Sequence, residues 1–116
     1  MANNKRKKAE LSQLNAVEKP EGIFRTTLAY NDETMLCHFH MKKGAAIPLH
    51  NHGPAQIGYV ISGKVKFLNE DGSTNFVAEK GTSYVFDPDE THGAEVLEDA
   101  EVLECFAPSR PEYADN

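Results

Sequence analysis

His50 and His52 stand two residues apart in the stretch Gly44-Ala-Ala-Ile-Pro-Leu-His-Asn-His-Gly-Pro-Ala-Gln56. Side chains at i and i+2 of an extended chain point to the same side, so this pair can bring two imidazoles to one point. Gln56 begins the next extended run, near enough to supply an amide oxygen there. His92, eleven residues beyond Gly81, adds a third imidazole from a separate segment. Three imidazoles and one oxygen donor suit a single divalent transition metal: Mn, Fe, Co, Ni or Zn. Glycines six residues before His50 and eleven after His52 give the pair a context that a bare H-x-H lacks.

A second stretch, Glu104-Cys-Phe106-Ala-Pro-Ser-Arg110, also carries chemistry. Val102, Glu104 and Phe106 share one face of an extended chain. If that face is the inner one, an acid is held near the metal, where an unpaired carboxylate is costly unless it has a partner or a task. Arg110, after Pro108, would then bring a planar cation to the pocket mouth, suited to a substrate carboxylate. Periodicity alone allows equally a surface acid and a surface arginine at the chain's end.

The elements that must position these groups read as strands. After Gly22 the apolar pattern repeats every two residues, with turn residues at close intervals and no convincing helix. Expected strands are 23–30, 34–41, 56–62, 64–69, 74–79, 82–86, 92–97 and 101–107, with a hairpin at Asp71-Gly72. In residues 35–41 every odd position is apolar, so Met35, Cys37, Phe39 and Met41 should face the core. His38 and His40, the chain's other H-x-H, then point away from it. If Cys37 faces inward and Cys105 outward, the two are poorly placed to form a disulfide. Ile57, Tyr59 and Ile61 point outward if Gln56 points inward; such an exposed apolar stripe is most simply covered by a second copy, which predicts a homodimer. Many short antiparallel strands mean an all-β sandwich or small barrel.

The first motif resembles that of the cupin superfamily, G-x5-H-x-H-x3-E-x6-G. Gly44, His50, His52, Gln56 and Gly63 fit it position by position, with glutamine for the usual glutamate. Gly81 and His92 keep the spacing of the second cupin motif, while Asp87, Asp89 and Val96 replace its proline, glycine and asparagine. The resemblance implies a small antiparallel, jelly-roll-like cupin β-barrel over residues 22–108. Residues 1–21 form an N-terminal tail or dimer arm and residues 109–116 a C-terminal tail. A neutral amide in the ligand set leaves the ion its full charge, which favours Lewis-acid chemistry over oxygen activation.

The chain looks most like the small single-domain cupins of pectin and alginate breakdown, which open unsaturated uronate monosaccharides into linear keto acids. That group pairs a three-His, one-Gln metal site with an acid, an aromatic and an arginine spaced as Glu104, Phe106 and Arg110 are here. The resemblance implies that Glu104 moves a proton, Arg110 holds the sugar carboxylate and Phe106 walls the pocket. The group's acid is an aspartate, so Glu104 reaches further by one methylene, about 1.5 Å, a misplacement that matters in catalysis. Two other readings stand beside this one: a non-haem metal dioxygenase, and a non-catalytic sugar- or small-molecule-binding cupin.

Composition bounds the partners. The 116 residues are enough for one domain with one core. Four of the 12 basic side chains stand at Lys5, Arg6, Lys7 and Lys8, which leaves eight against all 18 acidic ones in the rest of the chain. So acidic a body repels phosphate backbones, which argues against nucleic acid; the partner that the resemblance implies is a small-molecule substrate, an anionic sugar. No apolar run approaches the ~20 residues of a membrane span. The basic N-terminus is followed by no apolar segment of a secretory signal, and two cysteines are too few for a disulfide scaffold, so the expected location is the cytoplasm.

Overall fold

The computed structural model describes residues 5–114; residues 1–4 and 115–116 of the two expected tails lie outside the described residues. Eight strands follow one another: β1 (Val17–Glu18), β2 (Ile23–Tyr30), β3 (Met35–Met41), β4 (Ala46–His50), β5 (Ala55–Leu68), β6 (Thr74–Glu79), β7 (Ser83–Phe86) and β8 (His92–Ala107). The helical content among the described residues is two short 3₁₀ turns, Leu11–Gln13 and Pro111–Tyr113. None of it is long and apolar enough to cross a membrane.

Every strand pairing is antiparallel. The main path runs β1-β2-β3-β8-β5-β6, with β4 on β8 and β7 on β5. β5 and β8 are the two long strands, and they pair with each other from Ala55↔Ala107 to Leu68↔Gly93. The late half of β8 carries β3 and its early half β4. The early half of β5 carries β7 and its late half β6. The two long strands thus pass from one wall of the fold to the other, and the sheet rolls in jelly-roll fashion without closing.

The expected parity holds. Met35, Cys37, Phe39 and Met41 are buried, as are Val102, Glu104 and Phe106. Cys37 is buried, Cys105 is half-buried on the opposite face, and both are free thiols. Phe67, Phe76, Tyr84 and Phe86 form an aromatic cluster with ring centroids 4.5–6.1 Å apart. Pairs at such separations add about 0.5–1.5 kcal/mol each beyond the area they bury.

The strand breaks expected at Gly63 and near residues 98–100 are bends instead. Gly63 has φ +88°, and a Cβ there would lie 2.1 Å from the Asp99 carbonyl oxygen, so the two long strands cross here at a distance only glycine allows. The register between β5 and β8 shifts on both sides of Ser62, which accommodates the bend without ending the pairing. β4 is a strand the alternation did not announce. Pro48 sits in it, tolerated because β4 pairs with β8 alone and its other edge is free among the described residues. The N-terminal residues run along the outer edge of β2: Val17 pairs with Arg25, and Arg6 forms a two-hydrogen-bond bridge with Tyr30.

Candidate metal centre

Three strands converge on one point. His50 ends β4, His52 lies in the short connection to β5, Gln56 is the second residue of β5 and His92 the first of β8. His50 and His92 face each other across the β4–β8 ladder. One ring nitrogen from each of His50, His52 and His92 lies within 4.8 Å of the other two.

Each imidazole is oriented by the backbone two residues away. Nδ1 of His50 lies 2.9 Å from the Pro48 carbonyl, that of His52 2.8 Å from Pro54 and that of His92 2.7 Å from Glu90. A carbonyl only accepts, so in all three rings Nδ1 carries the proton and Nε2 presents a lone pair. His92 is further held flat against Phe86, with centroids 4.2 Å apart and planes 3° from parallel. Burial, together with the neighbouring imidazoles His50 and His52, pushes the His92 pKa down to about 4. Burial and Arg110 lower that of His52. In His52 and His92 both shifts favour the neutral ring, the form that binds metal.

Two further contacts test whether the group fits a cation. His92 Nε2 is buried with no hydrogen-bond partner, the one such side-chain atom among the described residues. Leaving a buried polar atom so costs about 1–3 kcal/mol. His52 Nε2 lies 2.9 Å from Gln56 Oε1. The Gln56 amide is oriented from behind, where its Nε2 donates to Glu104 Oε2 at 2.8 Å. Two lone-pair atoms thus face each other, which is repulsive unless a cation lies between them. Donors about 2.0–2.2 Å from one ion would stand about 3 Å apart, as these do. The residues fit a divalent metal.

Behind Gln56 lies the acid. Glu104 is buried, and its Oε2 accepts from both Gln56 and the Tyr84 hydroxyl, the latter at 2.5 Å. Burial pushes the Glu104 carboxyl above the ordinary range, against the opposing effects of Tyr84, Gln56 and Arg110. The Tyr84 phenol is raised well above its ordinary value by burial and by the Glu104 charge, which keeps it a donor. Gly58 stands opposite both Glu104 and Tyr84 in the sheet. A Cβ there would fall 2.4 Å from the tyrosine ring and hydroxyl, so the glycine makes the space in which this hydrogen bond forms.

Phe106 meets the His52 ring edge-on at 5.8 Å. The Arg110 guanidinium lies 4.1 Å from the Tyr113 ring centroid and 5.2 Å from that of Phe106, and its Nη2 pairs with Glu112 at 2.9 Å. His50, Gln56, His92, Glu104, Phe106 and Arg110 line one inner cavity of about 50 Å³. Every residue singled out from the two motif stretches is thus gathered at one site. Tyr84, Gly58 and Tyr113 are the members that the motifs did not mark. The alternation Ser83-Tyr84-Val85-Phe86 placed Tyr84 beside Phe86 on one face, and that was the available signal. His38 and His40 lie elsewhere, the first paired with Glu101 at 2.6 Å and the second exposed.

Comparison with known proteins places the chain's family and fold. The family model for the cupin domain matches residues 37–106. The pectin degradation protein KdgF of Dickeya dadantii (strain 3937) is 31% identical over 98 residues, covering 83% of this chain and 87% of that protein. The solved structure of KdgF from Halomonas sp. has a TM-score of 0.81 at 27% identity, covering 90% of this chain and 96% of that one. An RmlC-like cupin from Shewanella frigidimarina NCIMB 400 also has a TM-score of 0.81, at 26% identity, covering 94% and 100%.

The orphaned nitrogen generates a prediction. His92→Phe keeps a flat ring on Phe86 and removes the unsatisfied atom together with the hydrogen bond to the Glu90 carbonyl, two opposing effects, so the metal-free variant should stay within about 2 kcal/mol of the parent in urea unfolding. Added Zn²⁺ or Ni²⁺ should raise the Tm of the parent and leave that of the variant unchanged. Equal metal-induced stabilisation of both would contradict the assignment of His92 as a ligand.

Proposed function

We propose that this chain, which belongs to the cupin family, is a metal-dependent enzyme that opens unsaturated uronate monosaccharides and tautomerises them to linear keto acids. The observation that carries the reading is the double role of the Gln56 amide. Its oxygen faces Nε2 of His52, one of the three clustered imidazoles, while its NH₂ group is held by a buried acid. The likeness to a pectin degradation protein supports the substrate class.

Held by His50, His52, Gln56 and His92, a divalent ion (Ni, Zn, Mn, Fe or Co) supplies Lewis-acid polarisation of a substrate oxygen. The chain's own groups do the rest. Both hydrogen bonds to Glu104 end on Oε2, so Oε1 is the atom left for substrate. Oε1 takes the proton of the anomeric hydroxyl as the ring carbon–oxygen bond breaks. It delivers that proton to C4 as the resulting enolate becomes a ketone, so the reaction is an isomerisation with no atom gained or lost. The raised pKa of the buried carboxyl suits a group that must both accept and release a proton. Phe106 walls the cavity against water, and Arg110 faces the substrate carboxylate at its mouth.

The outward face of β5 and β7 completes the proposal. Ile57 and Val85 are register partners, 55% and 59% exposed, and Tyr59 beside them is 49% exposed. A second copy of the chain covers this stripe, giving a homodimer.

Two measurements decide these points. With unsaturated galacturonate, the metal-loaded protein should speed loss of the vinylic H4 signal in NMR, and Glu104→Gln should slow turnover by about 10²–10⁴-fold while retaining metal. A rate equal to the spontaneous one at full metal occupancy would remove the enzymatic reading. Light scattering at micromolar concentration should give twice the 12.9 kDa chain mass; a monomer would exclude the dimer.

A further inference from the structure

Among the described residues, Arg25 is a buried cation without a counter-ion. It stands on β2 with 7% of its surface exposed, between the buried Ile23 and Thr27. Its Nε donates to Thr27 Oγ1 at 3.3 Å, and its guanidinium lies 4.0 Å from the centroid of the Tyr113 ring. No carboxylate among the described residues lies within ion-pair distance of it. A guanidinium withdrawn from water without an anion is costly, so such a residue points to a charge that arrives from outside.

The surroundings say where that charge would sit. Arg25 lines a recess of about 530 Å³ with Lys19, His50, Arg110, Glu112 and Tyr113, a volume typical of small-molecule sites. His50, Arg110 and Tyr113 also line the inner cavity, so the recess is the approach to the candidate metal centre. Arg110 shares the Tyr113 ring with Arg25, yet its charge is already met by Glu112. Arg25, Arg110 and Lys19 against Glu112 alone make the recess positive, in a chain whose net charge is −6. Such local inversion draws anions to one place.

We propose that Arg25 is the carboxylate-recognition residue of this recess, holding the acid group of a monosaccharide-sized sugar acid beside Arg110 and directing the sugar toward the imidazoles. The proposal rests on the uronate reading and sharpens it, because it moves the main anion contact from the neutralised Arg110 to Arg25.

The test is binding to the metal-loaded protein, with D-galacturonate as probe and neutral D-galactose as control, by isothermal titration. Galacturonate should bind at least tenfold more tightly than galactose. Arg25→Gln should remove at least a factor of ten of that affinity, and Arg25→Lys should restore part of it, with metal content unchanged. As a check that needs no variant, the Arg25 Nε–H resonance of the parent should shift on titration with galacturonate and stay still with galactose. The proposal is overturned if folded Arg25→Gln binds galacturonate like the parent, if the parent does not distinguish the two sugars, or if the Arg25 resonance does not move. Arg25-dependent binding without turnover of the unsaturated sugar would remove the enzymatic reading alone. Turnover by Arg25→Gln with the parent's KM would remove this proposal alone.

Discussion

A hydrogen bond repeated three times, from an imidazole Nδ1 to a carbonyl two residues away, is the constraint on which the site depends. It settles the tautomer of His50, His52 and His92 together and turns three lone pairs into one small volume. Burial then disfavours the protonated forms of His52 and His92, so the site holds donors that cannot all find protein partners. A folded chain ordinarily satisfies its buried polar atoms. Here one nitrogen is orphaned and another confronts an amide oxygen. On this account the missing partner is a cation, and the local cost in the metal-free state is repaid when it binds.

The scaffold explains how residues so distant in sequence are held to this tolerance. β5 and β8 pair with each other along nearly their whole length, and each carries part of the chemistry. β8 supplies His92 at its start and Glu104 and Phe106 near its end, while β5 supplies Gln56 and Gly58. The chain Tyr84–Glu104–Gln56 runs across three strands by hydrogen bonds. It links the aromatic cluster of the core to the candidate ligand set, because Tyr84 packs against Phe67 and Phe86 while Phe86 supports His92. Packing inside the fold and orientation at the centre are thus one network. Glu104 is the middle of that network, its Oε2 accepting from both Gln56 and Tyr84.

Alternation made much of this legible beforehand. In 35–41 a two-residue period separates core from surface so cleanly that the fates of Cys37 and His38 follow from position alone, whereas in 102–106 it put Glu104 and Cys105 on opposite faces without deciding which face is the inner one. Spacing likewise marked His50, His52, Gln56 and His92. What stayed hidden depends on partners distant in sequence. β4 contains Pro48 and has no clear alternation, and it exists because β8 offers it an edge. Gly63 reads as a turn, yet it bends a continuous strand, because only the crossing of Asp99 reveals why a side chain is excluded. Arg25 reads as an ordinary polar residue in a strand, and its isolation from carboxylates is visible only when the C-terminal Tyr113 lies over it.

The central claim is that three imidazoles and an amide oxygen share one ion. X-ray absorption at the K-edge of the metal bound to the purified protein tests it directly. The account predicts outer-shell scattering from three imidazole rings, nitrogen and oxygen donors only, and loss of one oxygen contact or its replacement by water in Gln56→Ala. Fewer than three imidazoles, or a sulfur donor from Cys37 or Cys105, would contradict it.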